Sequence, residues 1–415
     1  MSLEDRHAIA GPADHNSQAG RSGFIETVLH KLLRPLECGQ LVIDTPDSRR
    51  LTFNGEKPGP QARLKIRSWK CLARLAAGWD LGLADAYITG EVDSPDIAAV
   101  LRWGCLNVKA ADRLLWLRPP RFWSRFRHAL NRNTERGSRR NIAAHYDLGN
   151  SFFERWLDPG MTYSSGLFTS ADQTLEDAQT AKLDRAIRLL DLSGGEHVLE
   201  IGCGWGSMAE RIVQQDGCAV TGLTLSAAQL AYARARLHRP IAGGRCDLRL
   251  QDYRDVTGTF DRIVSIEMLE AVGEAYWPVY FAKLRACLQP RGCAVLQVIT
   301  IEESRYDEYR RRPDFIQKYI FPGGMLPTAG LVERLALNAG LQVVGKEFFG
   351  DSYAQTLQIW QRRFQQAWPE IKRLGFDDKF KRAWEYYLDY CQVGFETRAV
   401  DVGLYKLAHR APAAV

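Results

Sequence analysis

The sequence predicts an α/β fold, in which a doubly wound, mostly parallel sheet follows a smaller α+β domain. After residue 190, short β-rich segments alternate regularly with amphipathic segments, which is typical of parallel strands joined by helices. Before residue 105, several strand-like segments come first and a helical region follows. The length of 415 residues also exceeds that of one ordinary domain. Two domains are therefore expected.

The N-terminal part of the chain divides into a leader and a first domain. Residues 1–20 are polar and lack the apolar centre of a secretory signal, so we expect a disordered leader. Residues 21–110 contain three strand-like segments, LVIDT, RRLTF and ARLKI, which are separated by turn residues. A longer segment with apolar residues at helical spacing follows them. Residues 21–110 are predicted to form a small α+β domain.

Residues 111–140 differ from the rest of the chain in composition. From Arg113 to Arg140 there are nine arginines and one acidic residue, Glu135, and aromatic residues are interleaved with them. One interpretation is a solvated connector between domains. The other is a peripheral membrane contact, because each basic residue near an anionic surface contributes about 1 kcal/mol of attraction. No RNA- or DNA-binding motif accompanies the arginines, so no nucleic acid partner is expected.

Residues 141–415 are predicted to form the main domain. The segments HVLEIG, CAVTGLTL, CDLRLQDY, FDRIVSIEM and CAVLQVITI have the composition of strands, and amphipathic segments separate most of them. Residues 302–327 interrupt this alternation with charged residues, prolines and glycines. We interpret that stretch as a lid insertion that covers the site.

The strongest local signal is a glycine-rich loop between the strand HVLEIG and a helix. Gly202, Gly204 and Gly206 allow a tight turn and a close approach of the backbone to a ligand. The spacing lacks the further step that a pyrophosphate loop prefers. Glu200 places a negative charge at the end of the strand, which suits an ammonium group better than a phosphate. The pattern is typical of class I methyltransferases and predicts binding of S-adenosylmethionine; the alternative is a structural glycine-rich turn.

Two further segments are candidates for binding this cofactor. The second strand ends without the acidic residue that usually holds a ribose, but Thr224 and Gln229 can supply a hydroxyl and an amide. Both residues are also ordinary at the start of a helix, for which Ser226 is a good N-cap. Asp252 and Tyr253 follow the third strand, where such folds contact adenine; the alternative there is a solvated loop.

Several segments, in order along the chain, resemble the cyclopropane-fatty-acid synthases and mycolic acid cyclopropane synthases. These segments are HYDLGN, MTYSS, VLEIGCGWG, GLTLS, DRIVSIEMLEAVG, KYIFPGGMLP and WPEI. The resemblance extends from about Asn141 to Ala408. The first domain is similar to the lipid-carrier-like N-terminal domain of that family, with LADAYITGEV as the best match. The resemblance implies a class I methyltransferase fold for the main domain.

The resemblance also implies which residues contact the methyl donor. Tyr163 and Ser164, in the segment MTYSS, match positions that do so in the family. The other implied contacts are Gly202, Gly204, Thr224 and Gln229.

Family members hold a bicarbonate ion beside the reacting carbons with a cysteine, a glutamate, a histidine, a tyrosine and a backbone group. The resemblance assigns three of these positions to Glu270, Tyr353 and the backbone of Ile299. The chain departs at the other two, where Ser165 replaces the cysteine and Gln297 replaces the histidine. A further histidine that usually follows the glutamate is Ala271 here.

The chemistry of methyl transfer to an alkene sets further requirements. An alkene is a weak nucleophile, so its π bond has to be aligned with the donor methyl group. The transfer leaves a carbocation, which each aromatic face attracts by up to about 2 kcal/mol. Water has to be excluded, and the insertion at 302–327 is the expected cover. Candidate rings, each equally compatible with plain core packing, are Tyr146, Tyr163, Phe168 and Trp205.

The proton that leaves the carbocation determines the product. Loss from the transferred methyl group closes a cyclopropane ring, which is the expected outcome. Loss from a neighbouring carbon gives a methylene- or methyl-branched chain, which a separate reductase could saturate. Bicarbonate can accept the proton if Glu270 accepts its OH group, while Ser165 and Gln297 still donate through a hydroxyl and an amide.

The expected substrate is an unsaturated phospholipid in a membrane surface, and the expected location is the cytoplasm, peripherally at the inner face of the membrane. No apolar run approaches the roughly 20 residues that a transmembrane helix requires. The nine cysteines are scattered without a CxxC pair and the eight histidines are dispersed, so neither a disulfide framework nor a metal site is expected. A homodimer is left open.

Two other functions are compatible with the sequence. One is methyl transfer to a small amine or to RNA, for which a polar pocket is expected in place of an apolar channel. The other is a non-catalytic lipid-binding protein that has kept the fold. The intact loop from Glu200 to Gly206 argues against the second alternative.

Overall fold

The computed structural model describes most of the chain. The described residues are 36–77, 79–107, 148–170 and 172–410, together with residues 27, 29 and 33. The predicted leader at 1–20, the basic segment at 111–140 and Tyr146 lie outside the described residues.

The strands are numbered β1 to β11 in chain order. They are β1 Cys38–Asp44, β2 Arg50–Asn54, β3 Lys57–Ile66, β4 Val92–Asp93, β5 His197–Ile201, β6 Ala219–Thr224, β7 Cys246–Leu250, β8 Phe260–Ile266, β9 Leu288–Ile301, β10 Leu341–Phe348 and β11 Val400–His409.

The α-helices of the described residues are numbered α1 to α14. They are α1 Lys70–Ala77, α2 Trp79–Ile88, α3 Ile97–Leu106, α4 Asn150–Phe153, α5 Leu175–Leu190, α6 Ser207–Val213, α7 Ala227–Arg236, α8 His238–Ala242, α9 Leu269–Val272, α10 Trp277–Cys287, α11 Glu303–Arg311, α12 Ala329–Asn338, α13 Gly350–Arg373 and α14 Asp378–Glu396. No described helix is long and apolar enough to cross a membrane.

The described chain divides into two compact units. The first comprises residues 36–67 and 93–107, and the second comprises residues 68–92 and 148–410. In the first unit β1 pairs antiparallel with β2 and parallel with β3. Helix α3 packs on this sheet, and the Asp96 carboxylate caps it by accepting a hydrogen bond from the Ala99 N–H at 2.8 Å. The described part of this unit therefore contains both a small sheet and a helix.

The boundary between the units differs from the predicted one, because helices α1 and α2 belong to the second unit. The Tyr87 ring of α2 lies 5.8 Å from the Tyr386 ring of α14. Arg382 of α14 stacks 4.1 Å above Tyr87 and donates to the Val92 carbonyl at 2.7 Å. Helix α2 is apolar and buries Ala84 and Ala86 completely, so it needs a large apolar partner, which α14 supplies.

The second unit contains a seven-stranded sheet in the order β10-β11-β9-β8-β5-β6-β7. Strands β7, β6, β5, β8 and β9 are paired in parallel, whereas β11 is antiparallel to β9 and to β10. The central strands β5 and β6 are buried along nearly their whole length, as expected for strands that have helices on both faces. The predicted α/β fold with a doubly wound, mostly parallel sheet is confirmed.

The insertion at 302–327 has more regular structure than its composition suggests. It contains α11 and a π-helical turn, Ile316–Ile320. The Phe315 ring lies 4.8 Å from the Tyr386 ring, so the turn packs against α14. At its end, the Met325 N–H donates to the Glu270 carbonyl at 2.9 Å. The insertion is therefore joined directly to α9, which follows β8.

Candidate active site

The predicted glycine loop lies where β5 ends, between its neighbours β6 and β8. Open α/β sheets bind their ligands outside the carboxyl ends of the strands at such a position. Gly202, Gly204 and Gly206 have positive φ angles of 88°, 52° and 89°. A Cβ atom on Gly202 would lie 2.8 Å from the Met268 side chain. The loop therefore requires glycine both for its backbone conformation and for space.

Glu200 lies at the end of β5, where 3% of its surface is exposed. One of its carboxylate oxygens has no hydrogen-bond partner among the described residues. Burial raises the pKa of Glu200 to about 8. A cationic group beside this oxygen would favour the ionised form, so the carboxylate suits the ammonium or sulfonium group of a ligand.

Thr224 and Gln229 lie at the end of β6 and the start of α7. The Thr224 hydroxyl donates to the Gln229 side-chain oxygen at 2.9 Å, so the structure brings the two predicted residues together. Ser226 is the N-cap of α7 and accepts a hydrogen bond from the Gln229 N–H at 3.3 Å. Ribose binding by the pair stays a prediction.

Asp252 and Tyr253 follow β7 and are both buried. The Asp252 carboxylate forms two hydrogen bonds with the Arg254 guanidinium, at 2.8 and 2.6 Å. The Tyr253 ring packs in the apolar core, 5.3 Å from the Tyr280 ring. A contact of these two residues with adenine stays a prediction.

Tyr163 lies in a cluster of aromatic rings. Its hydroxyl forms a hydrogen bond with the Tyr387 hydroxyl at 2.8 Å, and its ring lies 5.4 Å from the Trp360 ring. Trp205, another candidate ring, donates to the Asn150 side-chain oxygen at 2.8 Å and packs 5.1 Å from Phe153. Other rings close to Tyr163 are those of Phe153 at 5.4 Å and Trp156 at 5.7 Å.

Phe168 does not belong to this set of ring contacts among the described residues, although its N–H donates to the Ser352 hydroxyl at 3.1 Å. Tyr146 is outside the described residues. In the described part of the chain, the candidate rings are therefore mainly Tyr163, Trp205 and the rings of α13 and α14. We call this set of rings the aromatic wall.

Lys182 is a site residue that the sequence analysis missed. It is completely buried on α5, and its ammonium group donates to the Ser164 hydroxyl at 2.7 Å. Burial lowers the pKa of Lys182 to about 8, against the opposing attraction of Glu267, Asp158 and Glu200. The sequence could have indicated this burial, because Lys182 lies in the apolar stripe of α5. The other residues of that stripe include Leu175, Ala178, Ala186 and Leu190.

Three of the predicted anion-binding residues converge on Glu267, which the sequence analysis did not single out. One oxygen of its carboxylate accepts hydrogen bonds from the Ser165 N–H at 2.9 Å and the Gln297 amide at 2.7 Å. The other oxygen accepts from the Tyr353 hydroxyl at 2.7 Å. These groups come from four separate parts of the chain, which meet just after the end of β8, beside Gln297 of β9. The feature of the sequence that could have identified Glu267 is that it is a second glutamate, three residues before Glu270.

The arrangement around Glu270 differs from the expected one. Glu270 accepts a hydrogen bond from the Ile299 N–H at 2.5 Å, and its second oxygen has no partner among the described residues. Ser165 takes part in the cluster through its N–H, because its hydroxyl donates to the Gly166 carbonyl at 2.8 Å. The Ser165 hydroxyl therefore does not replace the cysteine thiol as a donor.

The conformation and charge of Glu267 are unusual. Its φ angle is 50°, in the left-handed region that costs a residue with a Cβ atom about 1 kcal/mol. Desolvation raises its pKa, which the donors Ser165, Tyr353 and Gln297 and the nearby Lys182 oppose. Desolvation, and then the charge of Glu267, raise the pKa of Glu270 to about 8. The two carboxyl groups therefore differ, with the ionised form better supported at Glu267.

These residues do not fit a bicarbonate ion. The donors that would hold it already bond to the carboxylates of Glu267 and Glu270. Near these donors the described structure leaves two side-chain oxygens without partners, those of the Gln297 amide and of Glu270. The Gln297 oxygen can only accept a hydrogen bond, and an anion placed here would also lie close to the negative charge of Glu267. Among the described residues there is also no group of three or more histidine, cysteine or acidic side chains that could hold a metal ion.

The sheet order, the glycine loop and the buried acid at its start define the chain as a methyltransferase that uses S-adenosylmethionine. Two solved structures share the fold. A mycolic acid cyclopropane synthase, CmaA1, solved with SAH and CTAB, is 31% identical with a TM-score of 0.61, over 65% of this chain and 97% of that one. Coclaurine N-methyltransferase bound to SAH, 19% identical with a TM-score of 0.60, shares the fold.

The chain belongs to the mycolic acid cyclopropane synthetase family, whose model matches residues 133–404. It is 38% identical to the tuberculostearic acid methyltransferase UfaA1 of Mycobacterium tuberculosis, over 80% of this chain and 79% of that protein. It is 36% identical to the cyclopropane-fatty-acyl-phospholipid synthase of Escherichia coli K12, over 86% of this chain and 89% of that protein.

Proposed function

We propose that the protein transfers the methyl group of S-adenosylmethionine to a double bond in an unsaturated phospholipid acyl chain. This proposal rests on the Glu267 carboxylate and its three hydrogen-bond donors. One of these donors, Tyr353, also packs against the cluster of aromatic rings. The Tyr353 ring lies 6.1 Å from the Trp360 ring, which in turn lies 5.4 Å from the Tyr163 ring. Methylation of an alkene needs these two features, rings that attract a carbocation and a group that accepts a proton.

The residues around the cofactor loop support the first half of this reaction. S-adenosylmethionine, when bound, supplies an electrophilic methyl group. Glu200 offers a buried negative charge to a cationic ligand, and the turn at Gly202 leaves room for close approach. Lys182 holds the Ser164 hydroxyl, next to Tyr163, at 2.7 Å and so orients the segment between the two parts of the site.

The substrate assignment rests on the chemistry of the wall and on the family. The rings of Tyr163, Trp360 and Phe153 pack together and make this part of the molecule apolar, which suits a hydrocarbon chain. The Escherichia coli relative is named for acyl phospholipids, which supports a substrate presented by a membrane surface. We place this activity at the inner face of the membrane, in peripheral contact with it.

The ring-closed product is proposed first, because the family and the Escherichia coli relative are both named for cyclopropane formation. A methylene- or methyl-branched product is the second candidate. It is favoured by the similarity to a tuberculostearic acid methyltransferase and by the departures at Ser165, Gln297 and Ala271. A separate reductase would be required if the branched product is saturated.

The proposed function is tested with purified protein, S-adenosylmethionine labelled in its methyl group, and vesicles of dioleoyl phospholipids. We expect label in the acyl chains of these vesicles and none in matched dipalmitoyl vesicles. Resistance of the product to hydrogenation, together with NMR of ring protons, distinguishes a cyclopropane from a branched alkene. Label in both vesicle types, or in neither, contradicts the proposal. Binding of S-adenosylmethionine in titration calorimetry without any transfer would support a non-catalytic lipid-binding protein.

A further inference from the structure

The hydrogen-bond donors around the Glu267 carboxylate are arranged as they would be around a bound carboxylate ligand. It receives a backbone N–H, a side-chain amide and a phenol hydroxyl at 2.7 to 2.9 Å. The resemblance to the family implies that those three positions, together with Glu270 and the Ile299 backbone, would surround a bicarbonate ion. In this chain, the negative group that these donors hold is a side chain of the protein itself, Glu267.

The ionised form of Glu267 is favoured over that of its neighbour Glu270. Three donors and the nearby ammonium group of Lys182 stabilise a negative charge on Glu267. Glu270 has one donor, the Ile299 N–H, and an oxygen without a partner among the described residues. When two acids lie close together in different environments, one is ionised and the other keeps its proton. Glu267 is then available as a base.

The position of Glu267 also suits a proton transfer from an acyl chain. Tyr353, which holds one of its oxygens, packs its ring 4.5 Å from Phe395 and 6.1 Å from Trp360. The Ser165 N–H, which holds the other oxygen, is two residues after Tyr163. The carboxylate therefore borders the same aromatic wall that attracts the carbocation.

We propose that Glu267 is the catalytic base of this enzyme and that its carboxylate takes the place of a bound bicarbonate ion. This inference rests on the proposed function. It concerns a residue that the resemblance to the family did not single out.

Methyl transfer and proton loss follow one another at the double bond. The π pair of the alkene forms the new bond to the methyl carbon, and the S–CH₃ pair stays on sulfur, giving S-adenosylhomocysteine. The neighbouring carbon becomes a cation. One Glu267 oxygen then takes a proton from the methyl group or from an adjacent carbon, and the released C–H pair closes the ring or forms a new double bond. Glu267 ends as a neutral acid and loses its proton to solvent before the next turnover.

The first experiment measures anion binding without turnover. Bicarbonate labelled with ¹³C is titrated into the full-length protein and into a Glu267→Gly variant, and binding is followed by NMR. Glycine suits the φ angle of 50° at this position and opens the space that the side chain occupies. We expect no saturable binding by the wild type and saturable binding by the variant. Saturable binding by the wild type overturns the proposal, whether or not the protein methylates lipids.

The second experiment measures turnover on dioleoyl phospholipid vesicles. A Glu267→Gln variant keeps an acceptor for Tyr353 but cannot act as a base, so kcat should fall by about 10²- to 10⁴-fold while S-adenosylmethionine affinity is kept. Added formate or bicarbonate should restore part of the activity of Glu267→Gly but not of Glu267→Gln. The wild type should be indifferent to removal of dissolved CO₂. Glu333→Gln, the same change at an exposed ion pair with Lys346, is the matched control and should leave kcat unchanged.

The outcomes separate this inference from the proposed function. If the wild type transfers label to unsaturated chains and Glu267→Gln does so equally well, Glu267 is not the base and the proposed function stands. Loss of activity when CO₂ is removed from the wild type overturns the inference in the same way. If the wild type transfers no label, the proposed function fails, and the ¹³C titration still decides whether Glu267 occupies the anion position.

Discussion

The active site has two parts, the glycine loop after β5 and the carboxylate cluster after β8. They differ in how many segments of the chain form them. The loop is one continuous segment, and its properties come from backbone conformation at Gly202, Gly204 and Gly206. The cluster joins side chains and N–H groups from separate segments, with Ser165 and Glu267 102 residues apart. Lys182 connects them, because it bonds to Ser164 and acts electrostatically on both Glu200 and Glu267.

The difference shows which part of such a site can change without loss of the fold. The loop depends on conformations that only glycine adopts readily, so substitution there affects folding and cofactor binding together. The cluster depends on a negative charge and on the hydrogen-bond donors around it. Either a bound anion or a protein carboxylate can therefore supply that charge. Substitutions in the loop and in the cluster test these two kinds of dependence.

The largest effect on cofactor binding is expected from Glu200→Gln. Loss of a buried charge that faces a cationic ligand should weaken S-adenosylmethionine binding by about 10- to 100-fold. Because burial raises the pKa of Glu200 to about 8, wild-type affinity should increase as the pH rises towards 8 and then level off. Titration calorimetry from pH 6 to pH 9 measures both effects. The variant should lose this pH dependence, and a wild type without it would remove Glu200 from the cofactor site.

The next effect is expected from Gly202→Ala. The added Cβ atom meets the Met268 side chain at 2.8 Å and disfavours the φ angle of 88°, so affinity for the cofactor should fall by about tenfold. Gly258→Ala is the control, since Gly258 has a φ angle of 89° but nothing within 4 Å of the added atom. It should lose about 1 kcal/mol of stability and no cofactor affinity. Equal affinity losses in both variants would mean that the contact with Met268 is unimportant.

A smaller effect, on the pH dependence of turnover, is expected from Lys182→Met. Lys182 lowers the pKa of Glu267, so its removal should shift the activity profile to higher pH and lower kcat several-fold at neutral pH. Lys346→Met, at an exposed ion pair, should leave the profile in place. A uniform loss of activity at every pH would indicate that Lys182 acts on folding or on the position of Ser164 alone.

The smallest effect, on thermal stability, is expected from Glu270→Gln. The pKa of Glu270 rises from 4.5 to about 8 on folding, so the folded state holds a proton that the unfolded state releases. The contribution of Glu270 to wild-type stability should therefore be fully present below pH 4.5 and be lost as the pH rises through 8. The variant carries no ionisable group there and should show a shallower decrease in Tm between pH 5 and pH 9. Parallel curves would mean that Glu270 is ionised in the folded protein.

Local patterns in the sequence were sufficient for the fold class and for the cofactor loop. Alternation of strands and helices after residue 190 predicted the sheet, and the spacing of Gly202, Gly204 and Gly206 predicted the turn. The N-cap at Ser226 was equally local. The assignment of α1 and α2 to the first domain was different, because α2 packs on α14, a helix almost 300 residues further along the chain.

The sequence by itself determined the elements, their order and the candidate residues, because backbone preferences and apolar periodicity act over a few neighbouring positions. Only the tertiary structure decided that Ser165, Gln297 and Tyr353 meet at Glu267 and that Glu270 turns to Ile299. Such contacts depend on strand register and on the position of whole helices, and short sequence segments carry no information about either. A carboxylate and the donors that hold it can therefore be recognised together only once the chain has folded.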